Sequence, residues 1–218
     1  MPRSFTIKNL LDKKPGKRVQ FTNGTLKTAI GPATLRGCWL IYGAEKNGKT
    51  WIALKLAKEL ARHEKVVYIS AEEGLEDSFK AAVIRAGLTA AEKINIEEYM
   101  SISQIVEKYK WPKSPNVIII DNLTVYADEL KPSELKKKLI DALSNKLVIL
   151  LAHEERRDPY PAVARMAKKM AMVVVNVRGL KAFVTSRFAS GGEIIIDEEK
   201  SALYWGETTT KSQQYETI

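Results

Sequence analysis

The sequence predicts an α/β fold: a mostly parallel, twisted sheet with helices on both faces and antiparallel strands added at the C-terminal edge. Three observations predict it. Apolar runs of strand length alternate with stretches of helical spacing from about residue 39 to 170. The runs 39–43, 65–70, 116–121 and 147–152 are almost continuously apolar, as in parallel strands buried on both faces. From residue 172 onward the pattern changes to β-rich runs split by Gly179, Gly191-Gly192 and 197–200, which reads as antiparallel hairpins.

The organising stretch is Gly43-Ala44-Glu45-Lys46-Asn47-Gly48-Lys49-Thr50, which has the form G-x-x-x-x-G-K-T. It follows the apolar run Trp39–Tyr42 and opens into helical spacing from Trp51. Strand, glycine loop and helix are the context a phosphate-binding loop requires. The glycines let backbone N–H groups turn inward around a polyphosphate, and the helix adds its positive dipole end. Lys49 is placed to reach the outer phosphates and Thr50 to ligate Mg²⁺, so ATP and Mg²⁺ are the expected cofactors. Glu45, Lys46 and Asn47, the loop's variable interior, have no role that the sequence alone supplies.

Composition bounds the rest. A chain of 218 residues suits one domain with a sizeable core. The net charge is +9 and the isoelectric point about 9.4; this is compatible with a polyanionic partner, although the cations are spread along the chain and a well-solvated surface gives the same sum. The single cysteine, Cys38, excludes an internal disulfide. With only two histidines, a Cys/His zinc site is not expected either. Cys38 reads as a small buried apolar residue. No apolar run reaches membrane-spanning length and no signal peptide is visible, so the default setting is the reducing cytoplasm.

In order along the chain, residues 1–30 are expected as a basic N-terminal arm, with Ser4 able to cap a short helix bearing Phe5, Ile7, Leu10 and Leu11; Asn23-Gly24 and Gly31-Pro32 mark turns. The ATPase domain is expected over 31–206. Its helices are predicted from Trp51 to about His63, and over about 75–86, 102–110, 133–144 and 162–170. Its strands are the four runs above together with 94–96, 172–177, 181–188, 193–196 and 202–205. The stretch 154–160 reads as a loop, and 207–218 as a flexible tail.

Ligands of such sheets bind outside the C-terminal strand ends. Three of those ends are polar: Glu72, Asp121 and His153. Asp121, after an apolar run, suits the role of holding Mg²⁺ with Thr50. Glu72, on the strand after the loop helix, could orient and deprotonate an attacking water; Glu73 is the neighbouring candidate. His153 could sense the γ-phosphate, or could simply be a satisfied strand-end histidine.

In their order, the loop, Tyr68-Ile69-Ser70-Ala71-Glu72-Glu73, Ile118-Ile119-Ile120-Asp121 and Leu150-Leu151-Ala152-His153 resemble the RecA-like P-loop ATPases, most of all the hexameric helicases of the DnaB and plasmid RepA type. The resemblance covers about residues 31–188. It implies an ATP-hydrolysing motor, a homo-oligomer (a hexameric ring) and single-stranded DNA as partner. It implies that Lys49, Glu72, His153 and Arg187 are catalytic, with Arg187 a finger entering a neighbour's site; Thr185 stands where related enzymes often carry a second cation. The segments matching the channel loops, 123–138 and 154–165, supply Lys131, Lys136, Lys137, Lys138, Arg156, Arg157 and Arg165, with Tyr126 and Tyr160 for stacking. About 30 residues precede the core, so primase recruitment through a separate N-terminal domain is not expected. Two other readings share the loop: a non-translocating loader, recombination mediator or regulatory ATPase, and a small-molecule kinase, which needs neither Glu72 nor Arg187.

Overall fold

The computed structural model describes residues 4–14 and 16–207. Helix α1 (Ile7–Leu11) is followed by strand β1 (Arg18–Val19), helix α2 (Gly24–Ile30) and strand β2 (Ala33–Thr34). The core then alternates: β3 (Gly37–Gly43), α3 (Lys49–Ala61), β4 (Val66–Ser70), α4 (Asp77–Arg85), β5 (Ile94–Glu97), α5 (Ile102–Tyr109) and β6 (Val117–Asp121). A 3₁₀ turn, Leu123–Tyr126, and a π-helical segment, Lys136–Ile140, lead to β7 (Leu147–Glu155). The described chain ends with β8 (Asp158–Tyr160), α6 (Ala162–Met170), β9 (Val173–Arg178), β10 (Lys181–Ser186), β11 (Gly192–Ile195) and α7 (Glu198–Trp205).

The main sheet runs β11-β10-β9-β3-β7-β6-β4-β5, with β8 hydrogen-bonded to β7. From β9 to β5 every pairing is parallel; β10 and β11 are antiparallel and extend one edge. The fold class expected from the sequence is therefore the observed one. Alternation along each central strand divides the core in two. Trp39, Ile41, Tyr68, Ile119 and Ile149 face the layer made by α2, α3 and α4. Leu40, Ile69, Ile120 and Leu150 face α5, α6 and the 123–143 segment. Both faces are covered, which is why these strands read as unbroken apolar runs.

Several local expectations give way to other structures. Helix α1 is capped by Thr6, whose hydroxyl accepts from the Asn9 N–H at 3.2 Å, and not by Ser4. Within the span expected as an arm, Phe5, Ile7, Leu10 and Leu11 are exposed, whereas Val19, Phe21, Leu26, Ala29 and Ile30 join the main core. The two turns expected at Asn23 and Gly31 are the caps of α2: Asn23 accepts from the Leu26 N–H, and Gly31 adopts φ 77°. The expected helix 133–144 keeps its apolar face, with Leu135, Leu139 and Leu143 buried, but widens to a π-turn in which the Asp141 N–H reaches the Lys136 carbonyl at 2.7 Å. The expected loop 154–160 is a hairpin: β7 continues to Glu155 and pairs with β8, leaving Arg156 and Arg157 as a two-residue turn at φ 52° and 67°. Such primed turns normally advertise themselves with Gly or Asn, and here they do not. The expected strand 202–205 is the end of α7, capped by Asp197 and closed by Gly206 at φ 67°. Beyond Glu207 the expected tail lies outside the described residues.

One buried charge fastens the loop between α5 and β6. Lys146 is fully buried and its ammonium donates to the carbonyls of Trp111 (2.9 Å) and Ser114 (3.1 Å) and to Asn116 Oδ1 (3.3 Å). Burial lowers its pKa, partly offset by Glu64. Removing the ammonium strands those carbonyls in a water-poor layer. Lys146→Met is expected to destabilise the fold by about 2–4 kcal/mol, measured as a fall in the urea midpoint at unchanged m-value; a midpoint equal to wild type would show that the ammonium is dispensable.

Candidate nucleotide site

Sheet order and register place the functional side chains. Gly43, at the end of β3, lies opposite His153 on β7, and Asp121, at the end of β6, lies opposite Ser70 on β4. The ends of β3, β7, β6 and β4 are therefore consecutive along one sheet edge. The chain leaves β3 through the glycine loop and enters α3 at Lys49. Gly43 passes so close to β9 that a Cβ there would sit 2.1 Å from the Val177 carbonyl oxygen, and Gly48 turns into α3 at φ 97°. Lys46 adopts φ 58° inside the loop. The loop is braced by the C-terminal hairpin: Asn47 Oδ1 accepts from the Gly179 N–H at 2.7 Å, while its amide donates to the Glu45 carbonyl. Trp205 Nε1 in turn donates to the Gly179 carbonyl at 3.2 Å. Asn47, silent in the sequence, is thus the loop's tie to the turn between β9 and β10.

Lys49, Thr50, Glu72, Glu73, Asp121 and His153 line one cavity of about 610 Å³. Lys49 is largely buried and donates to the Ala44 carbonyl at 2.9 Å, across the concave side of its own loop. Burial lowers its pKa, opposed by the charges of Asp121, Glu72, Glu45 and Glu154. Asp121 Oδ2 accepts from Thr50 Oγ1 at 3.1 Å and from the hydroxyl of fully buried Tyr68 at 2.5 Å. Burial pushes the Asp121 carboxyl up to about 6; the two hydroxyl donors pull it down, and Glu72 and Glu73 add to the rise. Among the described residues no group of three His, Cys, Asp or Glu side chains could cage a metal by itself. The Thr50–Asp121 pair instead suits a Mg²⁺ that brings phosphate oxygens and water as its remaining ligands.

Glu72 and Glu73 separate by their neighbours. Glu72 Oε1 lies 3.1 Å from His153 Nε2, and Glu72 Oε2 accepts from Asn122 Nδ2. Glu73 accepts from Ser78 at 3.3 Å. The main-chain N–H groups of Ala71 and Glu72 both donate to the Asp121 carbonyl, at 2.7 and 3.2 Å. Strand pairing thus continues one step past β4 and holds Glu72 beside the Asp121 strand end.

The structure does not bring Arg187 to this cavity. Its N–H donates to the Met172 carbonyl, and the Met172 N–H donates to the carbonyl of Cys38, at the start of β3. The run from Cys38 to Gly43 separates the two levels by about 17 Å at the usual strand rise. Arg187 lies at the opposite end of the strands from the phosphate loop. Of the cations expected on channel loops, Arg156 and Arg157 form the exposed tip of the β7–β8 hairpin and Arg165 is exposed on α6. Lys136 and Lys137 are exposed on the π-segment, Lys136 paired with Asp141 at 2.7 Å, and Lys138 with Glu134 at 2.9 Å. Cys38 is buried and its thiol is pushed up to about 12, so it is inert packing. Among the described residues no helix is long and apolar enough to cross a membrane. Tyr68 and Asn122 are site residues that no sequence motif singles out. A tyrosine inside an aliphatic strand and an amide directly after the strand-end aspartate are the signals the sequence offers for them.

This site on this sheet defines a RecA-like P-loop ATPase fold. Residues 17–160 match the family described as iSTAND, inactive STAND, and the chain belongs to that family. Among solved structures, it is similar to the flagellar accessory protein FlaH from Methanocaldococcus jannaschii, at 17% identity and a TM-score of 0.59, over 83% of this chain and 92% of that one. It is also similar to the ATPase domain of a DnaB-like helicase, at 17% identity and a TM-score of 0.54, over 73% and 80% of the two chains. No curated protein matches the sequence.

The state of Asp121 has a measurable consequence. Its folded pKa of about 6 lies above the ordinary value of 3.8, so the folded state holds a proton that the unfolded chain releases. The stability this contributes is complete below the unfolded value and is lost as pH rises through about 6. In metal-free buffer at pH 7.5, Asp121→Asn is therefore expected to be more stable than wild type by about 1–2 kcal/mol. The gap should shrink as pH falls toward 5; a gap independent of pH would show that Asp121 is not buried in its charged form.

Proposed function

We propose that this chain binds ATP with Mg²⁺ at the Gly43–Thr50 loop and uses hydrolysis as a switch, without moving along a polymer. The observation that carries this reading is the convergence of Lys49, Thr50, Asp121, Glu72 and His153 on one cavity, whose volume lies in the range usual for small-ligand sites, about 300–1,000 Å³. The residues fit the nucleotide. A side chain at Gly43 or Gly48 would crowd the loop, and Lys49 supplies a cation at its mouth. The loop N–H groups and Lys49 would hold phosphates, and Thr50 with Asp121 would hold Mg²⁺, which supplies charge neutralisation on the phosphates. Glu72 accepts a proton from the attacking water, with its carboxylate held by Asn122 and His153.

The switch reading rests on what lies next to His153. Three residues further along, the chain reaches the exposed Arg156–Arg157 turn. A change at the phosphate end of β7 therefore has a short, rigid path to the surface. Membership in a family described as inactive STAND fits a domain whose output is a conformational state rather than a high flux of phosphate. The intact Lys49, Thr50 and Asp121 fit retained nucleotide binding, and a single buried cysteine suits work in the cytoplasm.

The same hairpin favours a second reading, in which hydrolysis is coupled to single-stranded DNA. The Arg156–Arg157 tip, with Tyr160 and Arg165 beside it in sequence, offers cations for phosphates and a ring for a base. As a helicase-type hexameric ring, that reading needs a neighbour to present the edge bearing Arg187 to this cavity. The fold shared with the ATPase domain of a DnaB-like helicase is the comparison that supports it.

Lys49→Ala is expected to weaken ATP binding roughly 10- to 100-fold. Glu72→Gln is expected to keep ATP affinity and lose turnover by about 10²- to 10⁴-fold; full turnover in that variant would remove Glu72 from the chemistry. ATPase rates measured with and without single-stranded DNA across a salt series separate the two readings. Rates indifferent to DNA at low salt support the switch. Stimulation that fades steeply with salt supports the second reading, and recovery of activity on mixing Arg187→Ala with Lys49→Ala subunits would supply its ring.

A further inference from the structure

Asn122 has no solvent exposure, yet its amide is spent at the mouth of the cavity. Its orientation is fixed by an anchor outside the site. Oδ1 accepts from the Thr124 N–H at 2.7 Å, capping the 3₁₀ turn Leu123–Tyr126. A backbone donor requires the oxygen there, so Nδ2 points toward Glu72 and His153. Nδ2 donates to Glu72 Oε2 and lies 3.0 Å from His153 Nε2.

His153 Nε2 has one in-plane position and two neighbours competing for it. It either accepts from Asn122 or donates to Glu72 Oε1, according to its tautomer. Nδ1 of the same ring is buried without a partner among the described residues, so the ring has no second anchor to settle the choice. The His153 tie to Glu72 is therefore conditional on the tautomer. The Asn122 tie is not, because an amide donates in either case.

Glu72 needs such a tie. It follows β4 on the turn 71–75 and its side chain is 45% exposed. Its backbone is fastened to the Asp121 carbonyl, but only the side-chain hydrogen bonds stop the carboxylate from swinging out to water.

We propose that Asn122 is the positioning residue for Glu72: it couples the base to the 3₁₀ turn after β6 and holds the carboxylate in the cavity in both tautomers of His153. The proposal rests on the reading of Glu72 as the base. It also gives the site a handle outside the nucleotide. Val125 in that turn is exposed, and Tyr126, in the same turn, stacks on exposed Tyr99 at 5.5 Å. A partner that displaces this turn would release Glu72 without touching the phosphate loop.

The test compares Asn122→Asp and Asn122→Ala, alone and combined with Glu72→Gln, in ATP binding and single-turnover hydrolysis. Asn122→Asp keeps an oxygen for the Thr124 N–H and nearly the same shape, and replaces the donor, so it guards against a folding defect in the alanine variant. Both are expected to keep ATP affinity and lose about 10- to 100-fold in the hydrolysis step. In the Glu72→Gln background neither should cost anything more, since both act through one carboxylate. Hydrolysis by Asn122→Asp equal to wild type would overturn the proposal, as would a full further loss in the Glu72→Gln background. If Glu72→Gln turns over normally while Lys49→Ala is dead, the base assignment itself fails and the proposal falls with it.

Discussion

The carboxylate of Asp121 sits at the junction of almost everything that defines this site. It ends the strand between β7 and β4, it is buried, and one of its oxygens receives both the Thr50 and the Tyr68 hydroxyls. Its carbonyl receives the two N–H groups that start the Glu72 turn, and the next residue is Asn122. A charge so placed is costly without a cation, because burial outweighs what two hydroxyls return. The fold therefore keeps an electrostatic deficit at the point where Mg²⁺ would relieve it. Parallel pairing is what permits this arrangement, since it sends all the central strand ends to one edge, where no strand follows to cover them.

Around that point the molecule divides its labour. One layer, under α2, α3 and α4, anchors the helix that begins at Lys49. The other, under α5, α6 and the 123–143 segment, carries the elements that touch Glu72 and His153 from behind. The phosphate loop and the residues that would act on the phosphate are thus held by opposite faces of one sheet. Loosening one layer disturbs binding and loosening the other disturbs chemistry, which is a useful separation for a domain that reports its nucleotide state.

Much of this is legible in the residues. The loop at 43–50, the buried strands and the strand-end Glu72, Asp121 and His153 all announce themselves, because unbroken apolar runs and their polar last residues follow directly from burial on both faces. What stays hidden depends on partners distant in sequence or on unusual backbone. The Arg156–Arg157 turn uses positive φ without Gly or Asn, and so reads as a loop. The 136–140 segment keeps its leucine face while changing its winding, which spacing alone does not distinguish from an α-helix. Residues 202–205 look β-prone locally, but Asp197 and Gly206 cap a helix around them, and these cap signals outweigh local propensity. Tyr68 and Asn122 acquire their roles only from register with Asp121 and His153.

The chain Asn47–Gly179–Trp205 has a consequence for where this unit can be cut. The family match spans 17–160 and contains the phosphate loop and all three polar strand ends. The backbone that steadies the inside of the phosphate loop comes from residue 179, and the indole that steadies that backbone comes from residue 205. A fragment trimmed to the motif-bearing part would carry a complete signature and an unsupported loop. In this molecule the recognisable part closes at residue 160 and the supporting part at residue 205, and only the second boundary keeps the loop in shape.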